Sequence, residues 1–327
     1  SQPTLVDLTI GSERRKTVIV PTKRAEFFVL DRVTGEVITA VDERAVPQSE
    51  IPGERTSPTQ PFATGMPSFA YPRIDERDLF GLSPFDQMAC RITFRGLRYE
   101  GAMTPPSVEG TLLYPGPAGG QNWGSVAVDE ERQLMVVNNL HLAFVIHMIP
   151  RERDLVQSGE GLNRGYGIGG PQRGTPFAAN VQIFSSPIGL PCLKPPYGEI
   201  AVVDLTTQQI VWRRGMGPLQ IGLPSTAGSF VTAGGLVFNA GVMDAKLRAI
   251  DVFTGEVVWQ DALPGASEAT PMTYVSPATA RQYVIVTVPG ARQAGPDTAH
   301  DATTDGAAAP AQTGRVIAYA LTDANVE

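Results

Sequence analysis

Cysteine, histidine and clustered positive charge are all scarce in this chain, and each scarcity removes a class of function. Two cysteines, Cys90 and Cys192, in 327 residues cannot build a thiolate zinc site or an iron–sulfur cluster, which need three or four sulfur ligands. Their spacing leaves open whether they form one disulfide, because pairing depends on geometry and on an oxidising compartment. Basic residues number 26 against 33 acidic ones, a net charge of −7. They are scattered, so the electrostatic footprint of a nucleic-acid binder is missing, and an anionic membrane surface is expected to repel the chain. The longest apolar run, Met135–Ile149, contains Asn138, Asn139, His141 and His147 and is too short and too polar to span a bilayer. The opening SQPTLVDLTI has no basic segment followed by an apolar one, so it reads as neither a signal nor a transit peptide. The chain is therefore expected to be cytosolic or to begin inside a longer one.

What the chain has in excess is turn formers: 34 glycines and 28 prolines, nearly a fifth of its residues. Glycine and proline both disfavour helix interiors, so a helical bundle is excluded and many short elements are expected. Hydrophobic residues at 42% and charged ones at 18% suffice for a sizeable core. An internal repeat orders these elements. Val18–Val20, Phe27–Leu30 and Val37–Thr39 read as three β runs, with Thr34-Gly35 turning into the third. The pattern returns as Val202-x-Asp204-x-x-x-Gln208-x-x-x-Trp212 and Ala249-x-Asp251-x-x-x-Gly255-x-x-x-Trp259, beside Val29-x-Asp31-x-x-x-Gly35. The aspartate caps a turn, Gly takes the positive-φ position, and Trp packs between sheets. Such units predict an all-β fold, a β-propeller with tryptophan-docking repeats, with a β-sandwich as the competing arrangement. Three stretches, 48–78, 152–175 and 293–314, are long loops by composition.

Gly165–Gly170 matches the GxGxxG pattern, but Pro171 follows and no helical periodicity appears, so nucleotide binding is rejected. His141 and His147 fall on one face if their segment is a strand, and without a carboxylate between them they read as core or cleft-wall histidines. No GxSxG, HExxH or phosphate-binding loop occurs. Pro115–Gly124 is glycine-rich and ends in Gln121-Asn122-Trp123-Gly124. Its glycines allow close backbone approach, and an amide and an indole follow. From the residues alone it reads as a strand-entry turn with a core tryptophan.

Long motifs in order then carry a resemblance: VPTKRAEFFVLDR, SPTQPF, FDQMACR, RYEGAMTPPSVEGTLLYPG, GGQNWGSVAVD and LRAIDVFTGEVVW. Over residues 1–321 the chain resembles the membrane-bound type of pyrroloquinoline quinone (PQQ) dehydrogenases, which oxidise glucose, quinate, shikimate or polyols. The resemblance implies an eight-bladed propeller, of which residues 1–327 supply the C-terminal blades as one domain. It implies a separate N-terminal piece holding the Ca²⁺ ligands and the catalytic aspartate. It also implies a place on the periplasmic side of the bacterial inner membrane, a small-molecule alcohol substrate, and ubiquinone as electron acceptor. Lys23 matches the family lysine that reaches the quinone oxygens, a fixed cation where negative charge develops. Asn122 and Trp123 match a cofactor-contacting segment, and Asn138 and Asp244 match cleft residues near the cofactor. Glucose-oxidising members carry Gly-Gly-His-Gly where this chain has Pro289-Gly290-Ala291-Arg292. Arg292 would suit a carboxylate bidentately, which points to a quinate- or shikimate-type substrate. Glucose or a neutral polyol is the enzymatic alternative, and a cofactor-free scaffold propeller the non-enzymatic one.

Overall fold

The computed structural model describes residues 1–151, 170, 172, 174–290 and 313–321. Antiparallel sheets follow one another along the chain. The first is the meander β1 (Thr4–Ile10), β2 (Glu13–Pro21) and β3 (Phe27–Asp31). A hairpin of β4 (Val41–Ala45) and β5 (Thr59–Ala63) and the helix α1 (Pro84–Arg95) come next. β6 (Thr111–Leu113) leads into β7 (Val126–Asp129) and β8 (Leu134–Leu140), and these last two join β11 (Gly198–Asp204) and β12 (Gln209–Gly215) in the order β12-β11-β8-β7. Between β8 and β11 the chain detours through β9 (Phe144–Pro150) and β10 (Phe177–Ile183), which pair with β6 as a separate cap sheet. β13 (Ser229–Val231), β14 (Leu236–Asn239), β15 (Lys246–Asp251) and β16 (Val257–Ala262) pair in chain order, as do β17 (Met272–Val275), β18 (Gln282–Val288) and β19 (Arg315–Ala320).

Successive sheets bury their faces against each other, and β8 shows how. All seven of its residues are buried. Met135 and Val137 join Val6, Ile19, Phe27 and Val29 of the first sheet, while Leu134 and Val136 join Val237, Ile250 and Val252 of the next. Because side chains alternate along a strand, one strand serves two cores. That is the packing of propeller blades.

The repeat forms as its residues dictate. Asp31 Oδ1 accepts from the Val33 and Thr34 amides at 2.8 and 3.0 Å, and Asp251 Oδ1 accepts from Phe253 and Thr254, both at 2.9 Å. Those backbone donors pull the Asp31 carboxyl down to about 2. Gly35 and Gly255 sit at φ +79° and +72°, and Gln208 takes the same region at +58°. Trp212 docks on the neighbouring sheet's turn: its Nε1 donates to the Val252 carbonyl at 2.7 Å, and a Cβ on Gly255 would lie 2.7 Å from its ring.

Several expectations need correction. Val37–Thr39 makes only an isolated bridge, Leu30 to Val37, rather than a strand. Stretch 48–78 is not all loop, since it contains β5. The apolar run at Met135–Ile149 breaks at His141–Ala143, so His141 lies in the connection and His147 on β9, not on one strand face. Cys90 and Cys192 are bonded across a separation of 102 residues, tying α1 to the loop after β10. Of the three long stretches, most of 152–175 and 293–314, with the GxGxxG segment, lies outside the described residues.

Candidate functional site

The aspartate turns occupy one end of the sheets; the candidate residues gather at the other. Lys23 lies in the β2–β3 connection, which returns on itself through the Thr22 amide to Glu26 carbonyl bond at 2.9 Å. Its Nζ donates to the Pro117 carbonyl at 2.7 Å, and its own carbonyl accepts from Gly120 N at 2.8 Å. A Cβ on Gly119 would come within 2.7 Å of the Lys23 Cγ, and that glycine sits at φ +76°. Leu140 N, at the end of β8, binds the Gly120 carbonyl at 2.9 Å. The glycines thus let two sheets close around the lysine stem.

Trp123 is the main surprise of this loop. Its indole is 57% exposed, not a core residue, and is steadied by Nε1 donating to the Glu268 carbonyl at 3.0 Å. It sits at the entry to β7, where the following Ser125 amide closes a turn onto the Asn122 carbonyl, so nothing folds the ring inward. Asn122, Gly124, Asn138 and Ser225 line one small cavity. Asn138 is already engaged, donating to the Ala227 carbonyl and accepting from Ser229 Oγ, each at 3.0 Å. Ser225 Oγ is buried without a partner. Asp244 is not part of this group: it accepts from Arg248 Nη1 at 2.9 Å and lines a different hollow with Met216 and Lys246. Arg292 lies outside the described residues.

Behind the loop stands a polar cluster that the sequence reading missed. His141 Nδ1 is 3.0 Å from the Tyr114 hydroxyl, and its Nε2 is 2.8 Å from Glu199 Oε1. Arg213 forks onto both Glu199 oxygens at 2.9 and 3.0 Å. Burial pushes the Glu199 carboxyl up, but the His141 hydrogen bond and the Arg213 charge outweigh it and hold the group below its usual range. His141 Nε2 also lies 3.0 Å from Asn139 Nδ2, so the ring faces both the carboxylate and the amide. Gln121, fully buried, donates to Asn139 Oδ1 at 2.9 Å. The signal was Glu199, a charge that opens the otherwise apolar run before the turn aspartate of its strand. Tyr114, Tyr71, Tyr99 and Arg24 also line a cleft of about 660 Å³ beside this cluster.

The model of the PQQ glucose/ethanol/alcohol dehydrogenase β-propeller domain matches residues 1–284. The chain belongs to this PQQ dehydrogenase family. Among relatives, the quinate/shikimate dehydrogenase (quinone) of Acinetobacter baylyi is 40% identical over 89% of this chain and 38% of its own length. The quinoprotein glucose dehydrogenase of Escherichia coli is 37% identical over the same shares, 89% and 38%. A solved europium-containing methanol dehydrogenase superposes with a TM-score of 0.53 at 21% identity, over 88% of this chain and 39% of its own. That last likeness speaks for the propeller fold alone. This PQQ dehydrogenase chain spans about two fifths of the length of the curated relatives it matches.

PQQ is a flat, anionic ortho-quinone, and the residues present fit it. An open indole offers a face for stacking, a tethered ammonium offers charge, and an unpartnered buried hydroxyl is left for a polar edge. Ca²⁺ is a different matter. Among the described residues no group of three His, Cys, Asp or Glu side chains is placed to hold a metal ion.

Proposed function

We propose that this chain forms the C-terminal blades, residues 1–327, of an eight-bladed PQQ-dependent dehydrogenase, and that its substrate is a secondary alcohol of a quinate- or shikimate-type acid. The observation that carries the cofactor half of this reading is Lys23 fastened to the Pro117 carbonyl and the Gly120 amide, in the same loop that exposes Trp123 three residues on. When bound, PQQ supplies the two-electron acceptor for alcohol oxidation. Lys23 holds a positive charge at a fixed place: one of its three N–H donors is spent on Pro117, and two remain for an anionic oxygen. Trp123 would offer its exposed face to such a ring, and Asn122 and Ser225 would offer hydrogen-bonding groups. Asn138, with both amide ends occupied, shapes the wall, and Asp244 with Arg248 braces the neighbouring blade.

The remaining roles fall outside this chain in the same reading. An N-terminal piece supplies the Ca²⁺ ligands and the carboxylate that takes the hydroxyl proton, and electrons pass to ubiquinone at the periplasmic face of the inner membrane. Arg292 receives the substrate carboxylate. Relatives named for quinate, glucose and glycerol fall within a narrow span of identity, 36–40%, so the substrate choice rests on that arginine. The test is dye reduction by the complete enzyme loaded with PQQ and Ca²⁺, offered quinate, shikimate, glucose and sorbitol. Turnover of the acids, with Arg292→Ala raising their KM at least tenfold and leaving any neutral substrate unchanged, is the expected result. Turnover of glucose or sorbitol alone selects the neutral-substrate reading, and no turnover with any of them selects the scaffold.

A further inference from the structure

Helix α1 presents the wrong face to solvent. It is set by Ser83, whose side chain accepts from Asp86 N at 3.1 Å, by Pro84 in its first turn and by Gly96 at its end. Asp86 and Cys90 are the helix residues turned inward, and Cys90 is bonded to Cys192. The outward stripe is apolar: Leu82, just before the helix, with Phe85, Met88 and Ile92 on it, exposed by 69, 79, 52 and 64%. These positions recur at three- and four-residue intervals, one continuous helical face. Because the disulfide holds the opposite face, the helix cannot roll over to bury this stripe. A contiguous apolar patch fixed outward marks an interaction surface.

Charge selects the partner. The exposed ionisable side chains of α1 are Arg91 and Arg95, since its acid, Asp86, is buried. Exposed Arg73, Arg77 and Lys194 stand nearby, with Lys194 N bound to the Asp78 carbonyl and Arg95 paired to Glu76. Asp75 and Asp78 cap their own turn. A net charge of −7 opposes approach to an anionic surface, but screening confines charge effects to about 10 Å at 0.1 M salt, so this local face decides. Phe, Leu, Met and Ile flanked by arginine is the composition of a helix lying in a headgroup layer. Among the described residues no helix is long and apolar enough to cross a membrane, so α1 would lie on it. The placement agrees. α1 packs on the cap through Cys90, Leu112, Tyr114 and Val145, at the same end of the sheets as Lys23 and Trp123.

We propose that the Leu82–Ile92 stripe is a bilayer-docking surface for anionic lipid, turning the Lys23 end of the propeller toward the membrane. Vesicle binding requires neither PQQ nor turnover, so this proposal and the cofactor reading fail separately. The experiment is flotation of the oxidised chain with unilamellar vesicles of phosphatidylethanolamine and phosphatidylglycerol. Wild type should float, and Phe85→Ser/Ile92→Ser should bind at least tenfold less while keeping its thermal midpoint. Arg91→Glu should bind several-fold less. Met88→Trp, a second readout on a single exposed side chain, should be quenched by lipids brominated on the acyl chain. Failure of wild type to float overturns the proposal, as does equal flotation of the double variant or an unquenched tryptophan. A wild-type dimer that becomes monomeric in Phe85→Ser/Ile92→Ser, without vesicle binding, would overturn it in favour of a second copy.

Discussion

The two ends of the same sheets are built by different rules. At one end, Asp31, Asp204 and Asp251 each hold amides two and three residues ahead, and Asp129 accepts from the amide of Arg132. The chemistry is local, so the same few residues rebuild the same turn in three of the sheets. At the other end, contacts reach across 94 residues from Lys23 to Pro117, 145 from Trp123 to Glu268, and 58 from His141 to Glu199. Nothing there repeats, because each connection answers to a different neighbour. The comparison teaches that the regular end fixes the spacing of the sheets and leaves the irregular end free to carry a site.

The largest way to break this division is at the irregular end. A Cβ on Gly120 would lie 2.4 Å from Ala25 Cβ and 2.6 Å from Asn139 Oδ1. Gly120→Ala should therefore push the loop off Lys23 and weaken PQQ binding ten- to a hundredfold, at an overpacking cost of about 1–3 kcal/mol. Tryptophan fluorescence titration with PQQ checks it, and unchanged affinity would show that the loop does not hold the cofactor. Next comes Trp212→Ala, which removes the indole from the Gly255 turn and should cost about 2 kcal/mol, read as a lowered denaturation midpoint with PQQ affinity intact. The smallest effect sharpens the regular end. Gln208 occupies the left-handed position that Gly35 and Gly255 fill in the other repeats. Gln208→Gly should stabilise by up to about 1 kcal/mol in chemical denaturation, and a loss of stability would mean the glutamine side chain does more than tolerate its backbone.

Legibility followed the same division. The aspartate repeat and the docking tryptophan could be read because cause and effect lie within four residues or recur in each unit. Even so, Asp129–Gln133 escaped, since Arg132 stands where the other turns have Thr34, Thr207 and Thr254; Gln133 sits at φ +57° like its counterparts. α1 was hidden because it buries only Asp86 and Cys90, so no inward apolar period announces it, although its Ser-Pro start and Gly stop were visible. Trp123 was misjudged as core because a tryptophan beside glycines usually packs inward. Lys23, Asn122 and Trp123 were singled out through family resemblance rather than pattern, and Glu199 with His141 could be found only by bringing β8 and β11 side by side.

The double duty of β8 has a consequence for how this protein tolerates change. Val136 and Val137 are covalent neighbours, yet they belong to cores on opposite sides of one sheet. Sequence adjacency and energetic adjacency are therefore decoupled: Val136 shares its fate with Val237 and Ile250, roughly a hundred positions onward, and Val137 with residues as far back as Val6. Substitutions compensate across the seams between blades, not along the strand, and a variant that repairs one seam leaves its neighbour's ledger untouched.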